Sequence, residues 1–205
     1  MLRLKKLGHA LGFLALLASD ASAGEIHCGG IGCEDLRIRC RGAEPCYVSI
    51  LGEDDRYYVS VAHPPLGQGA TDDITLDRVV NVSIHTGPGD DSVFLTKVSL
   101  VGSLRIYTSR GDDNVGSQDG SVGGRIRIDM GAGNDTIFFP TAMYGPVVVT
   151  MGKGDDDVTI GFFPPLASDD NKLFDGGAGN DTIAITVTPP LRPARVKRFE
   201  TVGPY

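Results

Sequence analysis

From residue 80 onward, apolar and polar positions alternate in short runs, and each run stops at a glycine-rich acidic turn. The runs are VNVSIH (80–85), SLRIYT (103–108), RIRIDM (125–130), VVVTM (147–151) and KLFD (172–175). The turns read GPGDDSV (87–93), SRGDDNV (109–115), GAGNDTI (131–137), GKGDDDV (152–158) and again GAGNDTI (177–183). Alternation with period two predicts strands, and Gly-x-Gly-Asx-Asp predicts the corner that follows each one. The third turn residue is always glycine, at 89, 111, 133, 154 and 179, in steps of 22, 22, 21 and 25. Five residues before it stand Ile84, Ile106, Ile128, Val149 and Phe174, one apolar residue at a constant phase. The seventh turn position is always β-branched: Val93, Val115, Ile137, Val158, Ile183.

A strand–turn–strand unit repeating every 22 residues or so cannot bury its inward side alone, so it stacks on its neighbours. The expected fold is all-β, a right-handed parallel β-helix of six to seven coils. At about 4.8 Å per coil the rod is roughly 30 Å long. GQGATDDI (67–74) reads as a degraded sixth copy. An antiparallel β-sandwich is the alternative, and the constant phase of five acidic turns counts against it.

The flanks read differently. MLRLKK, an apolar LGHALGFLALLA and the small-residue pattern ASA at 21–23 predict a signal peptide over 1–23. All four cysteines, Cys28, Cys33, Cys40 and Cys46, fall in one 19-residue window. In an exported chain they predict two disulfides, with three connectivities open and the local pairs favoured. A four-cysteine zinc site is the other reading of the same spacing. LRIRC, RGAEP and CYVSI mimic strand–turn–strand, so 24–57 is expected to cap one end. The repeats then span 58–193, and a last strand within 194–205 covers the other end. GFFPPLASDDN (161–171) is expected as a loop inserted between coils, either folded over the coil or offering a sticky partner site.

Composition narrows the function. The chain carries 19 basic and 26 acidic residues, net −7; removing 1–23 leaves 16 and 25, net −9. An acidic exported protein is a poor candidate for nucleic acid or an anionic membrane and a fair one for cations. No stretch reaches the roughly 18 apolar residues of a spanning helix. Stacking would place Asp91, Asp113, Asp135, Asp156 and Asp181 in one file. Asp90, Asp112, Asn134, Asp155 and Asn180 would form a second beside it. Like charges about 5 Å apart repel by roughly 1 kcal/mol even at water's dielectric constant. Such files call for a counter-ion, spread side chains or raised pKa values. Calcium, a hard cation that takes six to eight oxygens, is the expected cofactor. The competing reading is a metal-free ladder, since Asn and Asp favour turns through their own backbone hydrogen bonds.

GGAGNDTI (176–183) resembles the nonapeptide G-G-x-G-x-D-x-U-x of RTX (haemolysin-type) calcium-binding proteins. The resemblance implies calcium held between stacked turns by Asp181 with Gly177, Gly179 and Asn180. It implies the same for Asp135 with Gly131, Gly133 and Asn134, where Met130 replaces the first glycine. It weakens at Asp91, Asp113 and Asp156, whose turns read TGPGDD, TSRGDD and MGKGDD. Here one motif falls in each coil of about 22 residues rather than in tandem, and the likeness covers 87–183.

Other chemistry is sparse. No metalloprotease, nucleophile-elbow or phosphate-loop motif occurs. His27, His63 and His85 are scattered. Asn81, Asn134 and Asn180 open glycosylation triplets, two of them by-products of the repeat. Arg105, Arg125 and Arg127 on successive strands leave a polysaccharide-binding or lyase-like face as the second functional class, and an enzyme is not expected. The first class is an exported, calcium-stabilised solenoid suited to surface or matrix adhesion through polysaccharide or protein.

Overall fold

The computed structural model describes residues 13–17, 25–30, 33–62, 71–161, 172–186 and 195–203. His63 and 162–171 lie outside them. The described residues contain strands and turns and no helix. Two nine-stranded sheets, A and B, face each other, and in each a run of seven strands stacks in parallel.

Alternation explains sheet A. Within Asp35–Arg39, Asn81–Pro88, Leu104–Arg110, Ile126–Ala132, Val147–Lys153 and Lys172–Ala178, every second side chain points inward. The phase read from the sequence holds: Ile84, Ile106, Ile128, Val149 and Phe174 stand in register and are buried. In sheet B, Val93, Val115, Ile137, Val158 and Ile183 do the same. Burying each such side chain contributes about 1.5–3 kcal/mol, so stacking rather than strand propensity holds the coils.

Among the described residues three coils add a short third side, in strands too brief for the period-two pattern to show. Ser99–Leu100, Ser121–Val122 and Ala142–Met143 form sheet C, with Leu100, Val122 and Met143 facing in.

The first end is antiparallel. On sheet A, Glu25–Gly29 pairs antiparallel with Asp35–Arg39, and Phe13–Leu17, inside the segment expected to be a signal peptide, pairs with it. On sheet B, Tyr47–Glu53 turns back onto Arg56–Ala62, which pairs with Thr71–Leu76. Residues 67–70 lie outside the described set. Thr71–Ile74, the described part of the expected sixth copy, lies in the antiparallel strand Thr71–Leu76.

The cysteines pair locally, Cys28 with Cys33 and Cys40 with Cys46. The second bridge spans the turn between Asp35–Arg39 and Tyr47–Glu53, as the cap reading expects. At the far end Arg195–Lys197 and Thr201–Gly203 add one last rung to each sheet.

Candidate functional site at the stacked corners

The corners join sheet A to sheet B, and stacking brings all ten predicted acidic and amide side chains into two files. The inner file is buried: Asp91, Asp113, Asp135, Asp156 and Asp181 are at most 2% exposed. The outer file, Asp90, Asp112, Asn134, Asp155 and Asn180, is solvent-exposed.

Each file is a hydrogen-bond ladder, and the two run in opposite senses. In the inner file the carboxylate of one coil accepts from the backbone N–H of the coil before it. Asp91 N–H donates to Asp113 Oδ1 at 2.8 Å, Asp113 N–H to Asp135 at 2.9 Å, Asp135 N–H to Asp156 at 2.8 Å, and Asp156 N–H to Asp181 at 3.1 Å. In the outer file the side chain accepts from the coil that follows. Asp112 N–H donates to Asp90 Oδ1 at 2.9 Å, Asn134 N–H to Asp112 at 2.8 Å, Asp155 N–H to Asn134 at 2.9 Å, and Asn180 N–H to Asp155 at 2.8 Å. Corner N–H groups that a tight turn would leave unpaired are thereby satisfied between coils.

Both caps continue the inner ladder. Cys46 N–H, next to the Cys40–Cys46 bridge, donates to Asp91 Oδ1 at 2.7 Å. Asp181 N–H donates to Glu200 Oε2 at 2.6 Å. Glu200 was not read as part of the repeat, although ETV at 200–202 echoes the DTI of 135–137 and 181–183.

The glycines are required by close approach. Gly133 and Gly179 both have φ +148°, and a Cβ on them would lie 1.9 Å from Gly111 O and 1.8 Å from Gly154 O. Gly131 and Gly177, both at φ +105°, are equally crowded by the coil before. Any side chain there would push the coils apart. Gly176, where Met130 and Met151 stand in other coils, leaves room beside Asp181: a Cβ would lie 2.7 Å from Asp181 Oδ2.

Burial is the main force on the inner carboxyls. It pushes Asp135 up to about 7, against the Asp113 backbone N–H and aided by the charges of Asp113 and Asp156. Asp113 and Asp156 are each pushed up to about 6, again chiefly by burial, and Asp181 is raised for the same reason.

This donor set can be weighed against calcium. One oxygen of every inner carboxylate is committed to an N–H. The Oδ2 atoms of Asp113, Asp135, Asp156 and Asp181 are buried without a hydrogen bond of normal geometry. They are hard oxygen donors that suit a cation in kind when ionised, one per coil. Calcium's six to eight oxygens would have to be completed by turn carbonyls. Those of Gly111, Gly131, Gly133 and Gly154 abut the glycine of the next coil. Among the described residues no three His, Cys, Asp or Glu side chains converge on one point.

The other candidates lie apart from the corners. Arg105, Arg125 and Arg127 sit exposed at or near the outer face of sheet A, and His85 is half-buried on that face. Asn81 is taken up by the fold: its amide donates to Asp35 and its carbonyl accepts from Ser103 N–H. Comparison with protein-family models, curated proteins and solved structures returns no significant match.

Proposed function

We propose that this protein is an exported structural solenoid, a stiff rod whose corners are locked by main-chain-to-carboxylate ladders and need no metal to close. The observation that carries this reading is the pair of opposed ladders, in which every inner Oδ1 holds a backbone N–H of the preceding coil or cap. Each such bond contributes about 1 kcal/mol net, and each would cost more if its buried partner were left unpaired. Two disulfides are compatible with export, and no described helix is long and apolar enough to cross a membrane.

A second reading, calcium at the corners, is favoured by one observation: the buried Oδ2 atoms of the inner file. Asp113, Asp135, Asp156 and Asp181 would each offer one oxygen to an ion at its own coil junction, and such ions would neutralise the file and tie neighbouring coils together.

One substitution separates the two. Asp135→Asn keeps the acceptor for Asp113 N–H and removes the charge; Asp135→Ala removes both. Melting of the purified protein would be followed with chelator, millimolar calcium and magnesium. The ladder reading expects the same midpoint in all three and a larger loss for Ala than for Asn. A calcium-specific rise that Asp135→Asn abolishes would establish the calcium reading in its place.

A further inference from the structure

The outer face of sheet A carries a groove of about 530 Å3. It follows from the corner chemistry. Gly87 and Gly131 have no side chains, and with Ser109 they form a low floor across three coils. Along one side stands an in-register file of outward side chains: Arg39, His85, Tyr107 and Asp129. Arg41 contributes to the lining as well.

The groove is positively biased on an acidic protein. A second outward file beside the first reads Arg37, Ser83, Arg105 and Arg127. Arg127 pairs with Asp129 at 3.4 Å, and Arg41 and His27 both pair with Glu25. Among the described residues Arg37, Arg39 and Arg105 have no ion pair. Glu25 stands opposite Arg39 and holds Arg41, yet this face carries five guanidinium groups (Arg37, Arg39, Arg41, Arg105, Arg127) against two carboxylates (Glu25, Asp129), a local site for an anion on a chain of net −7.

The aromatic pair says which kind. His85 and Tyr107 stack on each other, centroids 4.6 Å apart and planes at 19°, and Arg127 covers Tyr107 at 5.8 Å. Tyr107 thus has a ring against it and a guanidinium over it, which leaves it a poor platform for nucleobases, which bind single-strand sites by stacking. What remains is polar: the Tyr107 hydroxyl, the Ser109 hydroxyl and the Asp129 carboxylate. Those groups suit a ligand rich in hydroxyls. The volume falls within the roughly 300–1,000 Å3 of small-ligand sites.

We propose that this groove binds an acidic oligosaccharide, with Arg39, flanked by Arg37 and Arg105, taking its carboxylate or sulfate groups and Asp129, Ser109 and Tyr107 its hydroxyls. The guanidinium fork matches both anions, and the carboxylate of Asp129 accepts from sugar O–H groups. The site lies on sheet A, so it stands whether or not the corners take calcium.

Calorimetric titration of the full-length protein tests it, using an oligouronate, a sulfated oligosaccharide, a neutral oligosaccharide of equal length and a single-stranded DNA oligomer. One or both acidic sugars should bind, and the arm that binds names the anionic group. Arg39→Gln, an exposed change, should weaken that binding by about tenfold with an unchanged melting midpoint. Arg195→Gln, on the same sheet beyond the groove, should leave it unaltered. No binding of either acidic sugar, equal binding of DNA, or indifference to Arg39→Gln would overturn the proposal.

Discussion

The inner aspartates set the pH response of the fold. Asp135 is pushed up to about 7 and Asp113 and Asp156 to about 6, so the folded chain holds these protons more tightly than the unfolded one. A raised acid pKa contributes stability that is complete below the unfolded value near 4 and is lost as pH climbs through the folded value. Chemical-denaturation midpoints should therefore rise as pH falls from about 7.5 to about 5, and Asp135→Asn should flatten that rise. Asp175 acts in the opposite sense, since Arg198 at 2.6 Å lowers it and its contribution fades only in stronger acid. At this scale the sequence was informative about phase. The constant glycine, aspartate and β-branched positions all occupy equivalent places in the coil, because stacking demands the same backbone at every level. The direction of each ladder was not readable: it depends on backbone N–H groups, which no residue type advertises. The raised pKa values come chiefly from burial, which the spacing of charges in the sequence did not show, with repulsion along the file as the lesser cause.

Among the elements, the ends are where residues depart from the repeat. The disulfide-closed turn of the cysteine cap was legible from Cys40 and Cys46 bracketing it, whereas ARVKRFETV, expected as a single last strand, divides at Arg198 (φ 54°) into Arg195–Lys197 on sheet A and Thr201–Gly203 on sheet B. The antiparallel return on sheet B was not legible. Its signal lies at Asp54 and Asp55, whose φ values of 49° and 61° make a two-residue hairpin of the type that matches strand twist. Glu200→Ala should leave Asp181 N–H without its acceptor, cost about 1–2 kcal/mol, and speed hydrogen exchange at the Asp181 amide more than at Asp113. Equal exchange at both would mean that the final rung does not close the ladder.

In the whole molecule, the two opposed ladders make every coil junction chemically alike. The inner carboxylate of one coil meets an N–H of the coil before, and the outer side chain meets an N–H of the coil after. Arg110 and Ala132 occupy equivalent register positions on neighbouring strands. The period is thus a unit of length, not only of sequence. Excising residues 111–132 would join Arg110 to Gly133, offer Asp135 Oδ1 to Asp91 N–H, and give Asn134 N–H to Asp90 Oδ1. Such a protein should still melt in one cooperative transition, at a lower temperature because one nearest-neighbour interface is gone. Removing 11 residues instead would bring a sheet B strand against sheet A and leave no folded species by circular dichroism. A chain of this design can grow or shrink by whole coils with its surface chemistry carried along, so the rod's reach is a quantity that recombination within its own gene could change in a single step.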